Sequence, residues 1–387
     1  MKYLNERTKD LKQGAIRAMF DKANTMTDII SMGLGEPDMK TPEGVCNAGK
    51  EGLDKGFTHY TPNAGLIAAR KAVAEKSYVK SIGYDPMTEV IMTNGGMGAL
   101  SLVMATIIDP GDEVLVQDPQ WLNYHAQIRY YGGIPVAVPT KASERFEMKP
   151  EVIESLITPK TKVIMINSPN NPTGFTYKRE SLEEIAKIAI KHDLLVIVDE
   201  VYNTLFYDGA EIWCIAQYPG MKERSIVVNS FSKSYAMTGW RIGFVCGPAI
   251  VVDRMTKCQE NFNSCANAPG QYAAIHALEH PEYSEGLRKT FEERRAYALK
   301  RILAIKGFKL ECIPDGAFYF FPNIEAFGLS DVEFCNRLLD QQRVVCIPGS
   351  SFGDCGKGHI RIAYTTGIES LKKAFDRIEV FCDTLRN

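Results

Sequence analysis

The sequence of 387 residues lacks a long apolar run, a Cys-x-x-Cys pair and a strong excess of charge of either sign. Without about 20 consecutive apolar residues, we expect no membrane-spanning helix. The net charge of −2 gives no general attraction for nucleic acid or anionic lipid. The N-terminal residues, MKYLNERTKDLKQ, lack the apolar core and cleavage site of a secretory signal. These absences favour a soluble globular protein whose partners are neither membranes nor nucleic acids.

Cysteine and histidine are present but scattered. Ten cysteines lie between Cys46 and Cys382, and the six histidines are dispersed as well. None of these residues has the spacing of a zinc site, so we expect no metal. Several cysteines fall in apolar runs, where a thiol acts as a small hydrophobic group. Reduced, buried thiols predict a cytoplasmic location.

Hydrophobic patterning divides the chain into two kinds of structure. Between residues 45 and 283, short β-rich runs alternate with amphipathic helical stretches, which predicts a three-layer α/β domain with a mostly parallel sheet. After residue 284, a long charged helix leads into the short β-rich runs FKLECI, GAFYFFP, RVVCIPG and HIRIAY and a last amphipathic helix. We predict an N-terminal arm over residues 1–44 that forms part of the small domain, a large domain over 45–283 and a small α+β domain over 284–387.

Two residues whose side chains are able to take part in catalysis lie beside predicted strands. Lys233 stands in SFSKSYAMTGWRIGF, between two strand-like runs, and Asp199 ends the apolar run DLLVIVDE. Ligands of open α/β sheets bind at the carboxyl ends of the strands. A lysine amine there is able to form a Schiff base with an aldehyde. A buried carboxylate needs a cation or good hydrogen bonds, although Asp199 alone fits a helix cap equally well.

Two turns follow other predicted strands. TNGGMGAL, residues 93–100, places Gly95 and Gly96 where backbone amides can approach an anion at a helix N-terminus. It lacks the glycine spacing of a dinucleotide site and the lysine of a Walker motif. SPNNPTG, residues 168–174, contains Asn171 before a proline, a bond that is able to be cis. Each turn alone is also explained as an ordinary tight turn.

Arg361 and Trp121 are the last two candidate functional residues. Arg361 alternates with two isoleucines in HIRIAY, so its guanidinium must reach solvent or an anion such as a carboxylate. An edge-strand arginine is the alternative. Trp121 follows a strand in DPQWLNY, where it stacks on a ligand ring or packs in the core.

These residues together meet the requirements of pyridoxal 5'-phosphate. The cofactor needs a lysine for its aldehyde, a carboxylate for its pyridinium nitrogen and donors for its phosphate. Lys233 and Asp199 meet the first two needs. The remaining candidates are Ser230, Arg241 and the turn at Gly95 and Gly96 for the phosphate, Tyr202 and Asn171 for the ring oxygen, and Trp121 for the ring face.

The chain resembles the fold-type I pyridoxal-phosphate aminotransferases, most closely the bacterial and archaeal aspartate/aromatic group of class I and II. The resemblance covers nearly the whole chain, and SFSKSYAMTGWR and NNPTG are its most specific motifs. Other matching segments are GLGEPDMKTP, HYTPNAG, TNGGMGAL, DPGDEV, VDEVY, GAFYFFP, VVCIPGSSFG and HIRIAY. It implies the three-layer large domain of fold type I with a smaller α+β domain.

The resemblance also implies a role for each motif residue. Lys233 corresponds to the Schiff-base lysine and proton shuttle, and Asp199 to the partner of the pyridinium nitrogen. Arg361 corresponds to the clamp for the substrate α-carboxylate, with Gly35 beside it and Trp121 and Asn171 also near the substrate. Cofactor contacts are implied for Gly95, Gly96, Met97, Trp121, Asn171, Tyr202, Ser230 and Arg241 and, in the neighbouring subunit of a homodimer with shared sites, Tyr60.

Met97 departs from the pattern of some aspartate-preferring members, which carry a lysine directly after the paired glycines. A thioether cannot pair with a distal carboxylate. We therefore expect transfer of an amino group from an aromatic or other apolar L-amino acid to a 2-oxo acid such as 2-oxoglutarate. An aspartate aminotransferase that uses another cation, such as one from the partner subunit, stays an alternative.

Three further functions remain to be compared with this one. A carbon–sulfur β-lyase on the same fold would share the lysine, the aspartate and the arginine. A non-catalytic regulator is disfavoured, because only about thirty residues precede the first family motif and no basic arm is evident. A nicotinamide dehydrogenase is also disfavoured, since Gly33 and Gly35 have no third glycine after them.

Overall fold

The computed structural model describes residues 3, 5, 8, 19 and 21–386. In this part of the chain the strands are β1 (Ile30–Ser31), β2 (Val90–Thr93), β3 (Glu113–Asp118), β4 (Ile134–Pro139), β5 (Thr161–Asn167), β6 (Leu195–Asp199), β7 (Ser225–Ser230), β8 (Gly243–Cys246), β9 (Tyr319–Phe320), β10 (Val344–Val345), β11 (Ile347–Pro348) and β12 (Ile360–Ala363).

The α-helices of the same residues alternate with the strands in the first two thirds of the chain. They are α1 (Glu43–Asp54), α2 (Ile67–Lys76), α3 (Gly95–Ile107), α4 (Asn123–Tyr130), α5 (Pro150–Leu156), α6 (Arg179–Lys191), α7 (Phe231–Ser234), α8 (Ala249–Phe262), α9 (Ala268–Glu279), α10 (Glu282–Ala304), α11 (Asp331–Gln342) and α12 (Ile368–Arg386). None of these helices is long and apolar enough to cross a membrane.

A seven-stranded sheet forms the centre of the fold, in the order β2-β8-β7-β6-β5-β3-β4. Only β8 runs antiparallel to its neighbours, which confirms the predicted, mostly parallel sheet. The parallel strands β3, β5, β6 and β7 place their carboxyl ends at one edge. Their last residues are Asp118, Asn167, Asp199 and Ser230.

The sheet is buried on both faces because its strands are apolar at consecutive positions. Ile197 packs with the cluster that includes side chains of α3 and α8. Its neighbours Val196 and Val198 pack on the opposite face with side chains of α6. Burial of each such side chain stabilises the fold by about 1.5–3 kcal/mol. The apolar residues of α6 lie on one face of the helix, at the spacing i, i+3, i+4 and i+7, and all belong to this second cluster: Leu182, Ile185, Ala186 and Ala189.

Residues from both ends of the chain share a separate core. β1 pairs in parallel with β10, with Ile30 opposite Val344. Met32 packs in the same cluster as Phe334 and Phe375, which come from α11 and α12. This packing agrees with an N-terminal segment that joins the small domain, although most of residues 1–20 lie outside the described residues. The domain limits at residues 44 and 283 stay predictions.

Two strand assignments differ from the sequence pattern. The prediction of a strand at FKLECI is wrong: its residues alternate between half-buried and exposed, but Lys309 forms only an isolated bridge with Asn323. Alternating polarity is present there, but no neighbouring strand is aligned to extend the pairing. β4 is not among the predicted strands, and its segment IPVAVP contains two prolines. It lies at the edge of the sheet, where proline is tolerated.

Candidate active site

A cavity of about 540 Å³ opens at the edge where the parallel strands end. Most of the predicted site residues line it, although they come from distant parts of the sequence. They are Gly35, Gly96, Met97, Trp121, Asn171, Asp199, Tyr202, Ser230, Lys233, Arg241 and Arg361. Gly95 lies directly behind this wall, and Tyr60 lies outside the cavity with 87% of its surface exposed.

Lys233 lies on α7, the single helical turn that follows β7. Ser230 begins this turn, because its side chain accepts a hydrogen bond from the backbone N–H of Ser232. The Lys233 Nζ donates a hydrogen bond to the carbonyl oxygen of Gly35 at 2.6 Å. Burial lowers the pKa of Lys233 to about 8, although the negative charges of Glu36 and Asp199 oppose the shift. A lysine of this kind has an appreciable neutral, nucleophilic fraction near neutral pH.

Asp199 is the carboxylate at the base of the cavity, and only 3% of its surface is exposed. The Tyr124 hydroxyl donates to its Oδ2 at 2.7 Å. Burial raises the pKa of Asp199 to about 6, against the opposing effect of this hydrogen bond. Asp199 forms no salt bridge with any described residue. The carboxylate is therefore available to a cationic group of a ligand.

Asn167 connects the ends of two neighbouring strands. Its amide Nδ2 donates to the Asp199 carbonyl oxygen at 2.9 Å, and its Oδ1 accepts from the Asn171 N–H at 2.8 Å. The bond between Asn171 and Pro172 is cis, the conformer considered from the sequence. This network holds the Asn171 backbone at the end of the sheet.

The N-terminus of α3 and the loop after Lys233 form a cradle of hydrogen-bond donors. Gly95 has a φ of 70°, and a Cβ there would lie 2.5 Å from Arg241 Nη2, so a larger residue would strain the backbone and displace the Arg241 side chain. Arg241 donates to the Thr238 carbonyl oxygen at 2.8 Å but makes no salt bridge within the described part of the chain. The amides of the first helical turn and the Ser230 hydroxyl lie at the same wall. Such an arrangement binds a phosphate.

Arg361 is 2% exposed and belongs to the middle strand of the sheet β11-β12-β9. The alternative of an edge-strand arginine is therefore wrong. Its Nη1 donates to Asn171 Oδ1 at 2.8 Å and its Nη2 to the Gly33 carbonyl oxygen at 2.6 Å. Its Nε is buried and has no hydrogen-bond partner among residues 21–386. A buried guanidinium that has no anion beside it is suited to bind a carboxylate.

Several aromatic and acidic side chains of the cavity were missed by the sequence analysis. Tyr124, one turn after Trp121, packs edge-to-face with it at 5.3 Å between ring centroids. The hydroxyl groups of Tyr202 and Tyr319 lie 2.9 Å apart. Glu36 accepts a hydrogen bond from the Thr238 hydroxyl. Asn167 was missed as well. The sequence features that point to these residues are the position of Tyr124 in DPQWLNY, close to Trp121, and the position of Asn167 at the end of the strand-like run VIMIN.

Three charged side chains that line the cavity form no salt bridge with any described residue: Asp199 and Arg361, which are buried, and Arg241, which is exposed. A matching ligand set has a cationic ring nitrogen, a phosphate and a carboxylate. Lys233 lines the same cavity as these three residues; the charges of both arginines lower its pKa, and that of Asp199 raises it.

Known proteins share both the sequence and the fold. The family model for aminotransferases of class I and II matches residues 27–378. The chain is 41% identical over 382 residues to aromatic-amino-acid aminotransferase 2 of Thermococcus litoralis, with 97% of each chain covered. It is also 41% identical over 382 residues to an aspartate aminotransferase of Pyrococcus abyssi, again with 97% of each covered.

A solved structure agrees with these relatives. The aromatic aminotransferase from Pyrococcus horikoshii superimposes with a TM-score of 0.90 at 39% identity, covering 95% of this chain and 99% of that one. The matches extend over the large and small domains alike, and they include every element that lines the cavity. The chain therefore belongs to the class I and II aminotransferase family and is a transaminase.

Proposed function

We propose that the chain transfers the amino group of an aromatic or other apolar L-amino acid to a 2-oxo acid such as 2-oxoglutarate, with pyridoxal 5'-phosphate as cofactor. The observation that carries this proposal is the common cavity of Lys233, Asp199 and Arg361. A nucleophilic amine, a buried carboxylate and a buried guanidinium are the three groups that this chemistry needs.

The uncompensated charges of the cavity fit the cofactor, which family members use. Asp199 would hold the pyridinium nitrogen, and Trp121 would cover the ring. Ser230, Arg241 and the amides at Gly96 and Met97 would hold the phosphate, and Tyr202 and Asn171 the ring oxygen. When bound, pyridoxal phosphate supplies an electron sink that makes the substrate α-hydrogen acidic.

The side chains of the cavity provide binding and proton transfer. Arg361 receives the substrate α-carboxylate, which is the common group of every donor and acceptor. Lys233 Nζ holds and moves the proton of the substrate α-carbon, a task for which its pKa of about 8 is well matched. Nζ donates to the Gly35 carbonyl oxygen, and we propose that the segment around Gly35 adjusts when substrate binds.

We also propose that the protein is a cytoplasmic homodimer with shared sites. The exposed Tyr60 side chain supports a position at the phosphate of the neighbouring subunit, as expected from the sequence. All ten cysteines are free thiols, which supports a reducing compartment. Nothing in the net charge of −2 favours nucleic acid as a partner.

The proposed donor preference rests on the cations of the cavity. Within the described residues, Lys233, Arg241 and Arg361 are the cationic side chains that line it, and each has a proposed role. A second carboxylate on the substrate therefore finds no free cation from this subunit. Met97 instead presents a thioether sulfur, which lies 3.8 Å from the Asn123 amide nitrogen. The relatives named for aromatic and for aspartate substrates are equally similar, so their names do not decide the preference.

Met97→Lys should change the ratio of kcat/KM for aspartate over phenylalanine by about 10- to 100-fold in favour of aspartate, because a new charged hydrogen bond binds the distal carboxylate. Steady-state kinetics with both donors measure this ratio. Met97→Leu keeps an apolar side chain of similar size and should leave the ratio within about 2-fold of the wild type. An unchanged ratio in Met97→Lys would show that Met97 does not face the donor side chain.

The overall proposal is tested by the visible spectrum of the protein loaded with pyridoxal phosphate, while single amino acids are added without any oxo acid. We expect an aromatic donor to convert the bound cofactor to its amine form in one equivalent, with release of the matching 2-oxo acid. Release of ammonia and pyruvate from cystathionine would instead support the β-lyase. Failure of every donor to change the spectrum would contradict the proposed transamination.

A further inference from the structure

A buried carboxylate outside the cavity links the large domain to a loop of the small domain. Asp118 ends β3 and is 5% exposed. Its Oδ2 accepts a hydrogen bond from the backbone N–H of Asp354 at 3.0 Å, and its Oδ1 accepts from that of Cys355 at 3.2 Å. It forms no salt bridge within residues 21–386. Its charge is therefore balanced mainly by these two amides, which lie more than 230 residues away in the sequence.

Further contacts hold the same loop against the end of β3. The backbone N–H of Gln120 donates to the Phe352 carbonyl oxygen at 2.8 Å. Gly353 lies between these attachments with a φ of 134°, and a Cβ there would overlap the Asp118 carboxylate. A side chain at this position is excluded both by the backbone conformation and by the close approach. The loop is thus built to fit Asp118 closely.

The loop places an aromatic ring on Arg361. Phe352 is fully buried, and its ring centroid lies 4.9 Å from the central carbon of the Arg361 guanidinium. The ring of Tyr319 lies 4.6 Å from the same carbon. Such contacts favour the charged guanidinium and limit its rotation. Nε of Arg361 has no hydrogen bond among the described residues. The orientation of the guanidinium is therefore set by these two rings and by the two hydrogen bonds that its Nη atoms donate.

We propose that Asp118 is a positioning residue for substrate binding: by holding the backbone at residues 352–355, it keeps Phe352 against Arg361 and so orients the carboxylate-binding guanidinium. This proposal rests on the proposed role of Arg361. Asp118 contacts neither the reacting atoms nor the cavity wall, and it acts through the loop. Burial raises the pKa of Asp118, against the opposing effect of the hydrogen bonds from the two amides.

The test compares Asp118→Asn with Asp354→Asn in the cofactor-loaded enzyme. Asn at 118 replaces one acceptor with an N–H donor that faces a backbone N–H, so the loop is released on one side. We expect KM for both the amino donor and the oxo-acid acceptor to rise about 10-fold while kcat stays within about 2-fold. Asp354 belongs to the same loop, but its carboxylate is exposed and paired with Lys357, so its variant should keep wild-type KM values.

A binding measurement separates this effect from catalysis. Calorimetric titration with 3-phenylpropionate, a carboxylate that has no amino or oxo group, should give a dissociation constant about 10-fold higher in Asp118→Asn. Gly353→Ala disturbs the same contact from the other side and should give the same increase, so it decides the question if Asp118→Asn does not fold. A folded Asp118→Asn with unchanged KM and unchanged affinity would overturn the proposal, as would a fall in kcat alone.

Arg361→Lys, measured in parallel, distinguishes the two proposals. If Arg361→Lys binds 3-phenylpropionate as tightly as the wild type, the carboxylate role of Arg361 is wrong, and the role of Asp118 with it. If Arg361→Lys binds weakly and both Asp118→Asn and Gly353→Ala bind normally, only the positioning role of Asp118 is wrong.

Discussion

Lys233→Ala lowers kcat for transamination by about 10⁴-fold or more, because it removes both the group that holds the cofactor aldehyde and the base that moves the α-proton. The change leaves the anion cradle at Arg241 and the carboxylate of Asp199 in place. We therefore expect the variant to fold and to retain bound pyridoxal phosphate. Quantification of the 2-oxo acid product and the absorbance of the bound cofactor measure the two effects on one preparation.

Lys222→Ala is the matched control for this experiment. Lys222 is also a lysine of the large domain, but it is half-buried in a salt bridge with Glu89 and does not line the cavity. Its loss should leave kcat within about 2-fold of the wild type, since neither partner of this ion pair lines the cavity. Wild-type turnover in Lys233→Ala would show that another group moves the proton. Loss of the bound cofactor would show that Lys233 dominates cofactor affinity.

The large domain was predictable because its strands are apolar on both faces and bounded by polar residues. The run that ends at Asp199 is an example: its consecutive valines and isoleucine pack against helices on both sides. The edge strand β4 was not predictable from the same signal, since its prolines are tolerated only because one side is unpaired. FKLECI has the opposite property, with strand-like alternation but no partner strand. Pairing is a tertiary property that local sequence does not contain.

The candidate site also contains residues that the sequence predicts and residues that it does not. Lys233, Asp199 and Arg361 are identifiable because charged residues in apolar surroundings need a chemical reason. Tyr124 and Tyr319 were not identified, since an aromatic residue in a hydrophobic segment is usually part of the core. The role that Asp118 takes depends on a loop more than 230 residues away and on a glycine that accommodates it. Contacts between distant segments of this kind become visible only in the folded chain.

Asp199→Asn should lower kcat by about 10³-fold, because the amide presents an N–H donor where a carboxylate favours a protonated, positively charged ring nitrogen. The Tyr124 hydroxyl can still donate to the amide oxygen, so the local packing is preserved. The ring nitrogen then stays neutral, and the substrate α-hydrogen is less acidic. Single-turnover measurements with phenylalanine isolate this step from substrate binding.

The same substitution should stabilise the cofactor-free protein. The pKa of Asp199 is about 6 in the folded protein against 3.8 as the ordinary value, so the unfolded chain loses its proton first as pH rises. Below about pH 4, Asp199 is neutral in the folded protein and its burial costs no ionisation energy. As pH rises to about 6, the buried carboxyl ionises less readily than in the unfolded chain, and the free energy of unfolding falls by an amount on the order of 2 kcal/mol. Asn carries no charge and avoids this cost at pH 7.5.

Urea unfolding of the cofactor-free wild type and Asp199→Asn at pH 7.5 and pH 4 measures the difference. We expect the variant to be more stable at pH 7.5 and the advantage to shrink at pH 4. Glu200→Gln is the control, since burial also raises the pKa of Glu200, to about 7, but its side chain lies outside the cavity. It should share the gain in stability without the loss of kcat. Equal stability of Asp199→Asn and wild type at both pH values would show that the charge of Asp199 is already balanced before the cofactor binds.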